Sequence, residues 1–95
     1  MAYAVFAHYR CAVHDADTVR DALLKMREHT RQEPANLAYE VHAEADAPGG
    51  FVLYEVYEDR AGFDAHSTAE HFQEWIVGVV RPLLTERTVT FAEVL

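Results

Sequence analysis

The sequence predicts an α+β domain in which one four-stranded antiparallel sheet carries both of its helices on a single face. Three observations lead there. Four segments, Tyr3 to Ala12, Leu37 to Ala43, Phe51 to Tyr57 and Glu86 to Val94, show the period-two alternation of strands. Two longer segments repeat apolar residues at the helical period. A short Pro-Gly turn joins the two central strand segments, which makes them an antiparallel hairpin. The resulting order, β-α-β-β-α-β, is the split βαβ or ferredoxin-like plan.

Each element has a local reason. In the first strand, Tyr3, Val5, Ala7, Tyr9 and Cys11 fall on one face and Ala4, Phe6, His8 and Arg10 on the other. A helix follows over 17–33, with Asp15 and Asp17 as suitable N-caps and Val19, Ala22, Leu23 and Met26 as its apolar stripe. Pro34 is expected to end it. The second strand opposes Leu37, Tyr39 and Val41 to Ala38, Glu40 and His42. The turn over 46–50 leads into the third strand, where Phe51, Leu53, Glu55 and Tyr57 oppose Val52, Tyr54 and Val56. Asp59 is an N-cap for a short helix reaching about His66. Ser67 and Glu70 stand at capping-box spacing, which announces a second helical start at Ser67–Thr68. Phe72, Trp75, Ile76, Val79, Val80 and Leu83 form the apolar face of that helix, and Pro82 closes it.

At 95 residues, 1–95 is read as one domain. A chain this short buries only about 60–65% of its unfolded surface, so association with a second copy is a natural remedy. The sheet face away from the helices still carries apolar residues from the first and third strands, which predicts a homodimer with its sheets packed face to face. Eight Lys and Arg stand against sixteen Asp and Glu, a formal net charge of −8. That balance repels a nucleic-acid backbone and an anionic membrane surface, so neither is expected as a partner. The single Cys11 excludes an intrachain disulfide and reads as a buried thiol. No signal peptide and no apolar run of spanning length is seen, which predicts a cytoplasmic protein.

The run Glu33-Pro34-Ala35-Asn36-Leu37-Ala38-Tyr39-Glu40-Val41-His42 sets up a resemblance, together with Phe51-Val52-Leu53-Tyr54-Glu55, Asp59, Phe63, His66 and His71-Phe72. In order and spacing these residues resemble the antibiotic biosynthesis monooxygenase (ABM) domain family over nearly the whole chain. The resemblance implies a dimeric α/β barrel of ferredoxin-like subunits. That family includes cofactor-independent quinol and polyketide-anthrone monooxygenases, haem-degrading enzymes and an isomerase of a phosphorylated dione. Two positions depart from the pattern. Ala35 stands where the family often has Gly. The haem-degrading branch has an Asn in the first strand and a Trp in the short helix, whereas here the strand has no Asn and His66 takes the helix position.

Cofactor-free oxygenation asks the protein for a base, a donor to a developing oxyanion and an apolar, aromatic pocket. Histidine, with an ordinary pKa near 6.5, is the natural base. His66 and His71 are therefore the expected catalytic residues, and the resemblance supports the pair. Tyr54, Trp75, Asn36 and His8 are the candidate substrate-binding residues. Tyr54 and Trp75 also read as packing residues, and Asn36 as a turn residue. Glu55 interrupts an apolar strand and needs a partner, for which an Arg across the dimer is the first expectation. His66 and His71 are five residues apart, not the three or four that share a helix face, and no metal-binding or nucleotide-binding motif is present. No metal and no cofactor are expected. The leading reading is an oxygenase that takes a small aromatic substrate and dioxygen. The alternatives are an isomerase or other proton-transfer enzyme on a small, even phosphorylated, carbonyl compound, with Arg10 or Arg81 as anion partners, and a non-catalytic ligand-binding dimer.

Overall fold

A computed structural model describes all the residues, Met1–Leu95. The chain runs β1 (Tyr3–Cys11), a 3-10 turn (Val13–Asp15), α1 (Ala16–Thr30), β2 (Asn36–Ala43), β3 (Gly50–Tyr57), α2 (Arg60–Thr68), a π-helix (Phe72–Val80), a single turn α3 (Arg81–Leu83) and β4 (Leu84–Glu93). The strands lie in the order β2-β3-β1-β4, every pair antiparallel. This is the ferredoxin-like α+β arrangement that the alternation predicts. No helix is long and apolar enough to cross a membrane.

The strand alternation decides which face is covered. Ala7, Tyr9, Phe51, Leu53 and Tyr39 are buried on the helix side, against Val19, Ala22, Leu23 and Met26 of α1 and Ile76 and Val80 of the π-helix. The stripe read from α1 is thus the buried face of that helix. On the far side of the sheet Phe6, Val52 and Tyr54 remain exposed, with the Phe6 and Tyr54 rings 5.4 Å apart.

Three local expectations are corrected. Helix α1 stops at Thr30, before Pro34, and residues 31–35 turn tightly, Glu33 N–H donating to the Thr30 carbonyl at 2.9 Å. Leu37 is exposed because the β2–β3 register shifts between Asn36 and Ala38, and the extra residue of such a bulge leaves the pleat. Ser67 lies inside the last turn of α2, its hydroxyl donating to the Asp64 carbonyl at 3.0 Å, so it caps no new helix. The interruption falls two residues later, at Ala69, whose ψ of 151° is extended.

Two glycines matter to the site. Gly49 (φ 86°) closes the β2–β3 turn, and its carbonyl accepts from Cys11 N–H at 2.8 Å, tying the turn to the end of β1. Gly62, in the first turn of α2, lets that helix lie on the 31–35 turn. A Cβ there would stand 2.6 Å from the Ala35 Cβ. Here the departure at Ala35 is matched by a residue with no side chain. Gly62→Ala is therefore expected to destabilise the protein by about 1–3 kcal/mol through overpacking. Ala35→Gly in the same chain should recover part of that loss, a coupling that urea melts of the four chains of a double-mutant cycle would detect. Additive losses would remove the clash as the cause.

Candidate active site

Helix α2 starts where the Asp59 carboxylate accepts from Gly62 N–H at 2.9 Å, which satisfies one free donor of the first turn. One turn on from Gly62, His66 points down onto the sheet and is 2% exposed. The extended break at Ala69 then redirects the chain, so that His71 turns back toward the same place. Both rings meet Glu33. Its carboxylate accepts from His66 Nδ1 at 3.0 Å and from His71 Nε2 at 2.5 Å. A carboxylate offers no proton, so His66 carries its hydrogen on Nδ1 and keeps the Nε2 lone pair free. That Nε2 lies 3.6 Å from Oε1 of Glu55.

Glu55 is buried on β3, with Val5 and Tyr39 as its cross-strand neighbours and the Tyr57 hydroxyl donating to it at 2.7 Å. Burial pushes its carboxyl above the ordinary range, and the nearby Glu33 charge adds to that. His66 and the Tyr57 hydrogen bond act against it without cancelling it. For Glu33 the balance is reversed. Burial alone would raise its carboxyl, but the hydrogen bonds and charges of both histidines outweigh it and hold Glu33 low. Two carboxyls on either side of one imidazole are thus driven in opposite directions, the pattern that separates acid from base in catalytic sites. Burial also raises Tyr57 and Tyr39, and lifts Tyr9 to about 12, so all three remain neutral hydroxyls.

A cavity of about 600 Å³ opens between the π-helix and the β1–β4 half of the sheet. This volume lies within the usual range for small-molecule sites. Its walls are largely apolar, with Val5, Ala7, Phe63, Phe72, Ile76 and Phe91 among them. The polar groups reaching it include Tyr9, Tyr39, Glu55, His66, Arg81 and Arg87.

Of the residues singled out in the sequence, His66 lines this cavity and His71 sits behind it, joined through Glu33. Tyr54 and His8 lie on the other face of the sheet, and His8 bonds Glu44 there. Asn36 donates to the carbonyls of Ala38 (2.9 Å) and Val56 (3.4 Å), which places it in the β2 bulge. Trp75 packs against the core. Glu55 finds a partner two residues along its own strand, in the Tyr57 hydroxyl. Sequence reasoning missed Glu33, Tyr9 and Tyr39. A glutamate directly before Pro34 gave no chemical signal, and both tyrosines were placed only on the faces of their strands.

The spacing argument against a shared site for His66 and His71 fails, because the break at Ala69 removes the single-helix geometry on which it rests. Ligating atoms of Glu33, His66 and His71 all lie within 4.8 Å of one another. Chemically this is a two-histidine, one-carboxylate set that suits a transition metal. As arranged, both imidazoles give hydrogens to the carboxylate.

Residues 2–77 match the family described as antibiotic biosynthesis monooxygenase. No curated protein matches the chain significantly. Among solved structures, Rv0793 of Mycobacterium tuberculosis is 29% identical, with 100% of this chain and 96% of that one covered and a TM-score of 0.91. A structure described as an antibiotic biosynthesis monooxygenase is 30% identical over 98% of both chains, TM-score 0.90. A conserved protein of Methanosarcina mazei Go1, 20% identical over 98% of this chain and 92% of its own, TM-score 0.90, shares the fold.

The opposite shifts of the two carboxyls give opposite pH signatures. An unfolded glutamate titrates near about 4.3. Glu33 is lower in the fold, so its stabilisation is present above that value and disappears as the pH falls through the folded value. Glu55 is higher in the fold, so the native chain loses stability as the pH rises from there through the folded value. In thermal melts, the deficit of Glu33→Gln relative to wild type should shrink on acidification below about pH 4. Glu55→Gln should gain on wild type from about pH 5 upward. Gaps that do not change with pH would contradict both assignments.

Proposed function

The chain belongs to the antibiotic biosynthesis monooxygenase family, and on that premise we propose that it is a small monooxygenase oxidising a quinol or polycyclic phenol with dioxygen, without a bound cofactor. The observation that carries this reading is the Glu33–His66 dyad, whose free Nε2 faces an apolar, aromatic-walled cavity. A base held in one tautomer by a buried carboxylate is ready to take a proton without reorganising.

The steps follow from the geometry. His66 Nε2 removes the substrate hydroxyl proton, and the Glu33 carboxylate stabilises the imidazolium that results. The substrate anion gives an electron to dioxygen, which the neutral form does far less readily, and the radical pair combines at ring carbon. His66 returns its proton to the peroxide, the carbon loses its own hydrogen, and water leaves, so that the carbon becomes a carbonyl. One oxygen atom is kept and the other departs as water. The Tyr39 hydroxyl and the Glu55 carboxyl, held toward its protonated form, are the donors beside the developing oxyanion. Apolar walls exclude the water that would protonate the anion prematurely.

The 3.6 Å approach of Glu55 and His66 also favours a second reading, an isomerase that moves a proton between two substrate carbons without oxygen. Oxygen dependence separates the two. We further infer a homodimer formed through the exposed sheet face of Phe6 (46% exposed), Val52 (37%) and Tyr54 (37%), a contiguous apolar patch of the kind that marks association.

In an oxygen electrode with hydroquinones and anthrone-like phenols, metal-stripped protein should consume oxygen well above the autoxidation blank. His66→Gln should lower kcat/KM by about 10²–10⁴-fold, and His71→Gln, acting only through Glu33, by less. No uptake over the whole panel would overturn the oxygenase, and anaerobic turnover would install the isomerase. Sedimentation equilibrium should give twice the chain mass for wild type and the single mass for Phe6→Glu; a monomeric wild type would end the dimer reading.

A further inference from the structure

The cavity is electrically lopsided. Along β1, Val5 stands opposite Glu55 and Tyr9 stands opposite Arg87. Those two positions are four residues apart on an extended strand, roughly 13 Å. His66, Glu55 and Tyr39 therefore gather at one end. At the other, Arg87 from β4 and Arg81 from α3 line the wall with Tyr9. Arg81 lies over the Phe72 ring, 5.3 Å from its centroid, which fixes the guanidinium at the cavity edge.

Nothing in the chain neutralises this end. Arg10, Arg20 and Arg31 have carboxylate partners, but Arg81 and Arg87 have none. The one carboxyl that lines the cavity is Glu55, at the opposite end and driven toward its neutral form. Tyr9 lines the cavity together with the arginines and is 6% exposed; the Glu55 charge acts on its phenol, and so do both guanidiniums. It makes no hydrogen bond within the chain, whereas the Tyr57 hydroxyl bonds Glu55. A tyrosine hydroxyl that makes no hydrogen bond within the chain, lining the cavity with two guanidiniums that have no carboxylate partner, is free to donate to acceptor oxygens.

Building on the reading of this cavity as the substrate site, we propose that Arg81, Arg87 and Tyr9 form an anion subsite, and that the substrate is a fused aromatic carrying a carboxylate or phosphate at the end remote from its reacting hydroxyl. The anionic group anchors at the arginines and the hydroxyl is thereby delivered to His66. Both arginines are exposed, so the group keeps much of its water and need not be fully desolvated.

Equilibrium binding tests this without turnover. The probes are 2-naphthol, 2-naphthoate and 2-naphthyl phosphate, titrated into the full-length protein by calorimetry. At low salt, at least one of the two anions should bind about tenfold or more tightly than the neutral naphthol, and which one does identifies the group. Added salt should weaken anion binding and leave naphthol unchanged. Arg81→Met and Arg87→Met keep the aliphatic stems; each should reduce the anion preference and the pair should abolish it, with naphthol affinity and the circular dichroism spectrum unaltered. Equal affinity for all three probes, a preference that survives the double change or salt, or no binding of any probe would overturn the proposal. The two readings fail separately. Absent oxygen uptake with an intact anion preference removes the oxygenase and leaves the subsite, and uptake on neutral phenols without the preference does the reverse.

Discussion

The Glu33 carboxylate is the tie on which the site depends. It sits in the turn between α1 and β2, and it holds one histidine from the end of α2 and another from beside the π-helix. The turn after α1 and, more than thirty residues later, the two helical segments on either side of the Ala69 break are therefore pinned at one point by hydrogen bonds to a single charge. Charge-assisted bonds of this kind are roughly twice as strong as neutral ones, and here they are shielded from water. The same contacts set the chemistry: they select the His66 tautomer, keep Glu33 ionised, and leave Nε2 directed into the cavity. Structural and chemical roles are not separable at this residue.

Glu55 is the counterpart. It is 5% exposed on a central strand, and isolating an ionised carboxylate there is costly. The fold meets that cost with the Tyr57 hydroxyl and the approach of His66, and by shifting the carboxyl toward its neutral form. A carboxyl raised by burial and the Nε2 of His66 thus face each other, 3.6 Å apart, at one end of the cavity. Their closeness makes the site more than an apolar pocket.

The fold was legible because alternation is a local property. Tyr9, Ala7 and Val5 on one side and Phe6 and His8 on the other follow from a period of two, and the α1 stripe follows from 3.6. Leu37 escaped because one extra residue in β2 changes register, and nothing in the composition around Asn36 announces a bulge. The site was less legible for a similar reason. His66 could be selected by residue type and position, but its partner Glu33 lies 33 residues away, and only the break at Ala69 brings His71 to the same carboxylate. Tyr54 and His8 were chosen for their chemistry, but the strand parity that makes Tyr54 alternate with Glu55 sends it to the opposite face.

That parity also explains how so small a domain can offer both a cavity and an uncovered apolar sheet face. A single-layered sheet has two faces, and the helices cover only one. On the covered face the helices reach the β2–β3–β1 core but leave β4 open, with Phe91 48% exposed, and the space over β1 and β4 becomes the cavity. On the uncovered face Phe6, Val52 and Tyr54 alternate with the residues that build the core and the Glu55 end of the cavity. A shift of one residue in β3 would exchange Glu55 for Tyr54 and destroy both surfaces together. The register of β3 against β1 is thus constrained twice, by packing and by chemistry. The paired Val5–Glu55 and Tyr9–Phe51 positions are where those constraints coincide.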